Sequence, residues 1–251
     1  MSSNADNFEM VFENVQARQN PIHQYELARQ DQLFPAVFFV NLLNGKADPR
    51  RSRYFTTFPY GSGNYQGAPP NATQSINFSR MHTYLRGDSL SIVASPTTGT
   101  GALSFNAITY SGAAPVRVLT FAEYNFIRAE AAFRLGAPGE ALSFFEAGIR
   151  ASMAAAGVAS SAAGAYVAAQ TADPLSLQKI IEEKYVASYG VAVEPWSDWR
   201  RTGFPALAVP SAALLPAIAR ILPYPQQERD SNPKTPARVN LLERVFWDTR
   251  P

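Results

Sequence analysis

The sequence predicts a mainly α-helical protein in which a helical hairpin and a further helix pack against an irregular, loop-rich region. From Thr120 onward, apolar residues recur at helical spacing between recognisable start and stop residues. Residues 1–118 are instead rich in Gly, Pro, Asn, Ser, Thr and aromatic residues, and their periodicity is weak. We therefore expect an aromatic-containing loop region over 1–118 and a helical region, ending in Pro-rich loops, over 119–251.

The first helix of the hairpin begins at Thr120. Thr120 and Glu123 have the spacing of a capping box, in which each side chain satisfies an unpaired backbone amide. The glycine in Leu135-Gly136 supplies the stop. Four residues form the predicted buried stripe: Ala122, Phe126, Ala129 and Phe133.

The second helix begins at Pro138 and is predicted to end at Gly157. Its apolar stripe contains Leu142, Phe145, Ile149 and Met153. The hairpin has the spacing of one tetratricopeptide (TPR) unit, including the A-x3-F pair Ala141 and Phe145. A stack of such units needs about three copies to bury a continuous core. We therefore expect packing partners outside the hairpin.

Asp173-Pro174 is expected to start a third helix, which ends at Gly190. The Ala/Ser-rich stretch 158–172 is interpreted as a connector, and the chain after Gly190 as Pro-rich loops. Within the first 118 residues, a short β-like stretch is expected at Ala36 to Leu43.

The composition excludes several classes of partner. Of the 251 residues, 46% are hydrophobic and 17% charged, which is enough for a sizeable core. A net charge of +2 with scattered arginines argues against nucleic acid and anionic membrane as partners. The absence of cysteine excludes disulfides, thiolate metal sites and a lipid-modified cysteine in this chain. The sequence also shows neither a secretory signal nor an apolar stretch of about 20 residues.

The sequence predicts no catalytic residue, no metal site and no cofactor. Glu182 and Glu183 are adjacent on a helix, so their side chains point about 100° apart and do not form a glycosidase pair. His23 and His82, the two histidines, lack the spacing of metal ligands. We therefore expect a binding protein and not an enzyme.

Aromatic residues in the loop region are the first candidates for ligand binding. They are Tyr54, Phe55, Phe58, Tyr60, Tyr65 and Tyr84. A flat sugar face stacks on an exposed ring while neighbouring polar groups bind its hydroxyls. Tyr54, Tyr60 and Tyr65 are therefore predicted to contact a ligand, although ordinary burial is an equally open explanation for each ring.

The segment PWSDWRRTGFP, residues 195–205, is the second candidate. Trp199 is predicted to stack on a sugar there, with Arg200 or Arg201 bonding hydroxyls. The competing interpretation is structural, and it is favoured because a tryptophan buries about 150–250 Å² and usually lies inside. In that case the arginines pair with carboxylates of the helices, such as Glu130, Glu182 or Glu183.

Several segments together resemble the C-terminal half of the SusD/RagB family, and most closely its SusD-like nutrient-binding lipoproteins. In chain order these are DPRRSRYF, YNFIRAEAAFRLG, EALSFFEAGIRAS, KIIEEKYVASYG, PWSDWRRTG and RILPYPQQERDSN. Their order and spacing make the resemblance more specific than any one of them, and it covers nearly the whole chain.

The resemblance implies TPR-like helix pairs of an α/α superhelix packed on a loop-rich region, within one SusD-like domain that lacks its N-terminal half. It implies a cell-surface protein of the outer membrane that takes part in carbohydrate uptake. Such a protein captures oligosaccharides or peptides and delivers them to a SusC-type TonB-dependent barrel. The family attaches to the membrane through a lipid anchor that this chain lacks. We therefore expect a fragment, a truncated gene product or a shortened expression product.

Two other classes stay open at the level of sequence. A TPR-type scaffold that binds peptides predicts more repeats and fewer loop aromatics than this chain contains. A glycan hydrolase requires two carboxylates that converge from distant positions, and sequence alone does not show such a pair.

Overall fold

The computed structural model describes residues 1–29, 32–70, 72, 76–104, 106–191, 193–211, 213–236 and 240–248. The chain divides into two compact units, Met1–Ala192 and Val193–Pro251. The helices of the first unit are α1 (Pro21–Ala28), α2 (Val37–Gly45), α3 (Arg51–Tyr54), α4 (Thr83–Arg86), α5 (Phe121–Arg134), α6 (Pro138–Ala155), α7 (Ser160–Thr171) and α8 (Leu177–Ala187). A short 3-10 helix, Asn4–Asp6, precedes them. The fold is therefore mainly helical, as predicted.

The predicted helical hairpin is confirmed as α5 and α6. The Thr120 hydroxyl accepts a hydrogen bond from the Glu123 amide at 3.1 Å, so this half of the predicted capping box forms. Gly136 has a φ of 72° directly after α5, a conformation that glycine adopts without strain. Phe126, Phe145 and Ile149 are fully buried, whereas Phe133 is half-buried at the edge of the same cluster.

Two expectations about the helices that follow are wrong. The stretch expected to be a connector is helix α7, because its alanines favour a helix. The helix buries Tyr166 and Val167 in the core. The third predicted helix, α8, begins three residues later than Asp173-Pro174. The Ser176 hydroxyl accepts from the Lys179 amide at 3.2 Å and caps it.

The expected strand over Ala36 to Leu43 is also wrong, because this stretch lies in α2. Phe39, Val40 and Leu43 are buried at helical spacing on one face of the helix. A short apolar run fits a strand or a buried helix equally well, so its tertiary partners decide which one forms.

Two antiparallel strand pairs complete the first unit. Strand β1 (Phe8–Met10) pairs with β4 (Val116–Leu119), and β2 (Ser89–Ile92) pairs with β3 (Ile108–Tyr110). The first pair joins the start of the chain to the segment that leads into α5.

Two hydrophobic clusters hold the helices of the first unit together. One lies among α5, α6, α7 and α8, where Phe126 contacts Phe145 edge-to-face with ring centroids 6.2 Å apart. The second draws residues from both sides of residue 118: Phe39, Val40, Leu43, Tyr54, Phe55, Met81, Tyr84, Leu85, Ala156 and Val186. The loop-rich segment and the helical segment of this unit therefore share a core.

The second unit contains α9 (Val193–Thr202) and α10 (Gln226–Ser231). The sequence interpretation of Pro-rich loops after Gly190 is corrected here, because PWSDWRRT is helical. Pro195 lies in the first turn of α9, where a missing N–H leaves no helical bond unmade.

Across the residues that the structure describes, no helix is both long enough and apolar enough to cross a bilayer.

Candidate ligand-binding site

A buried charge network fixes the loop-rich segment to the helices. Arg50 has no exposed side-chain surface and donates from Nη2 to Asp48 at 2.6 Å and to Glu183 of α8 at 2.7 Å. Its Nη1 donates to the Ser152 hydroxyl of α6 at 2.9 Å. One arginine in the DPRR segment therefore ties the start of α3 to two helices that follow far along the chain.

Two further groups complete the network around Glu183. The Lys46 ammonium lies 2.9 Å from Glu183 Oε1, and the Tyr166 hydroxyl donates to the same oxygen at 2.7 Å. Burial alone raises the pKa of Glu183, but Arg50 and Lys46 more than offset this and lower the pKa below its usual range. Glu183 is thus an ionised structural group and not a proton donor.

The loop of residues 57–66 contains Tyr60 and Tyr65, and backbone hydrogen bonds hold it within itself and to the turn at Gly101. The Phe58 amide donates to the Asn64 carbonyl at 2.9 Å, and the Tyr60 amide donates to the Gly101 carbonyl at 2.9 Å. Gly61 and Gly63 have φ values of 83° and 81°, which glycine adopts without strain. The sequence therefore makes a tight turn and holds the flanking rings in place.

Tyr60 and Tyr65 are half-buried and lie at opposite ends of this loop. Tyr60 packs on the small cluster that contains Leu103 and Tyr110. Tyr65 packs on the second hydrophobic cluster, and the Arg51 guanidinium lies 5.3 Å from its ring centroid. Burial raises the pKa of the Tyr65 hydroxyl, so the ring is neutral at physiological pH. Each tyrosine thus packs partly on the core and keeps part of its surface in solvent.

Polar side chains that lie next to the loop were not predicted from the sequence as site residues. The Thr100 hydroxyl donates to the Asn77 side-chain oxygen at 2.8 Å and lies 3.0 Å from the Thr98 hydroxyl. Thr98 and Thr100 belong to the turn that accepts the Tyr60 amide through Gly101. No sequence motif marks these residues, because they meet the loop only through the tertiary fold.

Tyr54 is not available to a ligand in this structure. Its ring is completely buried, and its centroid lies 4.6 Å from that of Tyr84 and 4.7 Å from that of Tyr189. Its hydroxyl donates to the Val186 carbonyl at 3.2 Å. Burial raises the pKa of Tyr54 well above its usual value. The predicted set is thereby reduced to Tyr60, Tyr65 and Trp199, which stay predictions.

Trp199 lies in the second unit, on α9. It is half-buried, and the Arg220 guanidinium lies 5.2 Å from its ring centroid. The neighbouring Arg200 is buried, lies 3.9 Å from the Trp196 ring and donates to the Arg220 carbonyl at 2.9 Å.

The structural interpretation of the arginines is therefore confirmed, since both side chains are bonded within the protein. Arg201 pairs with Asp198 one turn earlier on α9 at 2.7 Å. Of the carboxylates that the sequence offered as partners, Glu130 pairs with Arg134 and Glu182 pairs with Lys46.

The described residues contain no group of three or more His, Asp or Glu side chains placed to hold a metal ion.

Comparison with known proteins identifies the family. A family model described as "SusD-like_2: Starch-binding associating with outer membrane" matches residues 1–225. The chain belongs to this SusD-like family. No functionally curated protein matches it.

Solved structures share the SusD-like fold. A chitin-binding protein superposes with a TM-score of 0.74 at 21% identity, covering 100% of this chain and 57% of its own. A SusD homolog from Bacteroides uniformis superposes with a TM-score of 0.68 at 21% identity. The match covers 99% of this chain and 57% of the homolog. A chitin-binding SusD homolog from Flavobacterium johnsoniae superposes with a TM-score of 0.70 at 23% identity. The match covers 100% of this chain and 56% of the homolog. This SusD-like chain thus spans a little over half the length of these relatives.

Proposed function

We propose that this SusD-like chain belongs to a nutrient-binding protein that captures neutral oligosaccharides at the outer face of the outer membrane. It delivers them to a SusC-type TonB-dependent barrel. The family description, with its starch binding and outer-membrane association, supports the setting. Two structural relatives described as chitin-binding support a glycan as the ligand.

The observation that carries the proposal is the chemistry of the loop at 57–66. Two half-buried tyrosines flank its glycine turn, and hydroxyl and amide side chains lie beside it. An open ring face stacks on the apolar face of a sugar, while hydroxyls and amides satisfy the sugar hydroxyls. The near-neutral charge balance suits an uncharged ligand.

Binding and not turnover is the proposed activity. Glu182 and Glu183, which the sequence analysis rejected as a glycosidase pair, are held by Lys46 and, for Glu183, also by Arg50. A glycosidase instead needs one protonated acid and one free carboxylate on either side of a substrate.

Calorimetric titration with chitin and starch oligosaccharides tests the proposal. We expect saturable binding with micromolar or weaker affinity. Tyr60→Ala and Tyr65→Ala should each raise the Kd about two- to tenfold, since a stacked ring contributes about 0.5–1.5 kcal/mol. Tyr25→Ala is the matched control, because Tyr25 is an exposed tyrosine of α1 outside the loop.

Two results contradict the proposal. Binding that survives both loop substitutions removes the site assignment. If chromatography after incubation detects shortened oligosaccharides, the protein is an enzyme and the binding-protein proposal is wrong.

A further inference from the structure

A polar cleft of about 420 Å³ opens in the first unit, and its lining residues include neither Tyr60 nor Tyr65. One wall is the turn between α4 and β2, and the other is the end of α6. Arg53, Thr83, Asp88 and Arg117 line it with polar side chains. Its volume lies within the range of small-molecule sites.

Close backbone packing shapes one wall of the cleft. Gly87 has a φ of 79°, and a Cβ atom added there would lie 2.3 Å from the Ser111 hydroxyl and 2.8 Å from the Ala113 amide. The Ser111 amide donates to the Asp88 carbonyl at 2.9 Å. Glycine is therefore required at position 87, and the backbone of Asp88 is held in place.

Two arginines supply hydrogen-bond donors. Arg53 donates from Nη2 to the Gly157 carbonyl at 3.2 Å, and Arg117 donates from Nη1 to the Tyr84 carbonyl at 3.3 Å. The Arg117 guanidinium also lies 4.0 Å from the Tyr84 ring centroid. Each contact orients a guanidinium through one nitrogen, and a guanidinium has five N–H groups. Both arginines therefore keep donors for a ligand.

Asp88 supplies the acceptor. Its side chain is exposed, and its carboxylate makes no hydrogen bond or ion pair with any residue that the structure describes. Glu9 lies 3.5 Å from Arg117, so two carboxylates balance the two guanidinium charges in and beside the cleft. A site with donors, an acceptor and no net charge favours a hydroxyl-rich neutral ligand over an ion, because a hydroxyl both donates and accepts.

We propose that this cleft binds one neutral sugar ring through hydrogen bonds to its hydroxyls, as a second carbohydrate site that does not use ring stacking. The proposal rests on the proposed function and adds a second mode of recognition to it. Arg53 and Arg117 donate to hydroxyl oxygens, and Asp88 accepts from hydroxyl groups.

Backbone amide NMR titration with glucose and N-acetylglucosamine tests the proposal, with sodium glucuronate as the charged comparison. We expect the Gly87 and Gly157 amide signals to shift saturably with the neutral sugars, and glucuronate to bind no more tightly. Asp88→Ala should raise the Kd at least tenfold. Ala155→Trp should abolish binding, because Ala155 lines the cleft at the end of α6.

The matched control is Ala154→Trp, which adds the same ring to the neighbouring, exposed position of the same helix. It should bind like the unsubstituted chain. The proposal is overturned if the neutral sugars leave both glycine amides unshifted, or if Ala155→Trp binds them normally. Oligosaccharide binding that still depends on Tyr60 and Tyr65 would leave the proposed function intact in either case.

Discussion

Arg50 donates to Glu183 at 2.7 Å across 133 residues of sequence, and neither side chain has any exposed surface. The pair joins the start of α3 to α8. Because both charges are desolvated, each depends on the other for its solvation. The position of the loop-rich segment, and with it the candidate site, therefore depends on this contact.

Removing one partner of the pair should destabilise the first unit strongly. We expect Glu183→Ala to lower the free energy of unfolding by about 3–5 kcal/mol, since it leaves a buried guanidinium without one of its carboxylates. Glu13→Ala is the control, because the pair Arg18–Glu13 is exposed by 70% and 61%. It should cost at most about 1 kcal/mol. Denaturant unfolding measures both, and equal costs would contradict the structural role of the network.

The two histidines should make stability depend on pH. Burial, followed by nearby arginines, lowers the pKa of both His23 and His82 to about 4 from 6.5. Arg86 Nε donates to His23 Nδ1 at 3.4 Å, so protonation of that nitrogen would remove an acceptor. Between these pKa values the unfolded chain binds more protons than the folded chain, so stability is complete above pH 6.5 and falls as pH drops toward 4.

Melting temperatures between pH 7 and 5 measure this effect. The variant with His23→Gln and His82→Gln retains polar side chains and has no histidine left, because the sequence contains only two. We expect its melting temperature to change less over this range than that of the unsubstituted chain. An unchanged slope would show that other groups cause the acid sensitivity.

Strong local signals allowed the hairpin to be predicted, and their absence explains what was missed. Thr120, Gly136 and Gly157 mark the ends of α5 and α6 through backbone chemistry that acts within a few residues. Helix α7 has no comparable stripe of large apolar residues, and α2 is too short for its periodicity to decide between helix and strand.

The candidate site was harder to predict than the fold. A tyrosine in a Gly/Pro-rich stretch looks exposed in sequence, but Tyr54 is packed by Tyr84 and Tyr189, which follow far later in the chain. Asp88, which precedes β2, and Arg117 of β4 line the same cleft, and no sequence motif joins them. Long-range contacts of this kind leave little trace in a single sequence.

Close packing of the helical hairpin should be sensitive to side-chain volume at Gly148. A Cβ atom at this position would lie 2.9 Å from the buried Phe126 ring. We expect Gly148→Val to lower the free energy of unfolding by about 1–3 kcal/mol through overpacking. Gly139→Val on the same helix is the control, since nothing lies within 4 Å of its Cβ position. Denaturant midpoints compare the two, and a neutral Gly148→Val would show that the helices are not in close contact there.

Arg200 should stabilise the second unit and leave the first unchanged. Its guanidinium lies 3.9 Å from the Trp196 ring and 4.5 Å from the Trp247 ring, and it also donates to the Arg220 carbonyl. Loss of these cation–π contacts and of the hydrogen bond in Arg200→Ala should lower the stability of this unit by about 1–3 kcal/mol. All three tryptophans of the chain lie in the second unit, so tryptophan fluorescence follows its unfolding selectively. Arg229→Ala, at an exposed position of α10, should leave the fluorescence midpoint unchanged. If Arg200→Ala has the same midpoint as this control, Arg200 has no structural role, and its N–H groups become candidates for ligand binding beside Trp199.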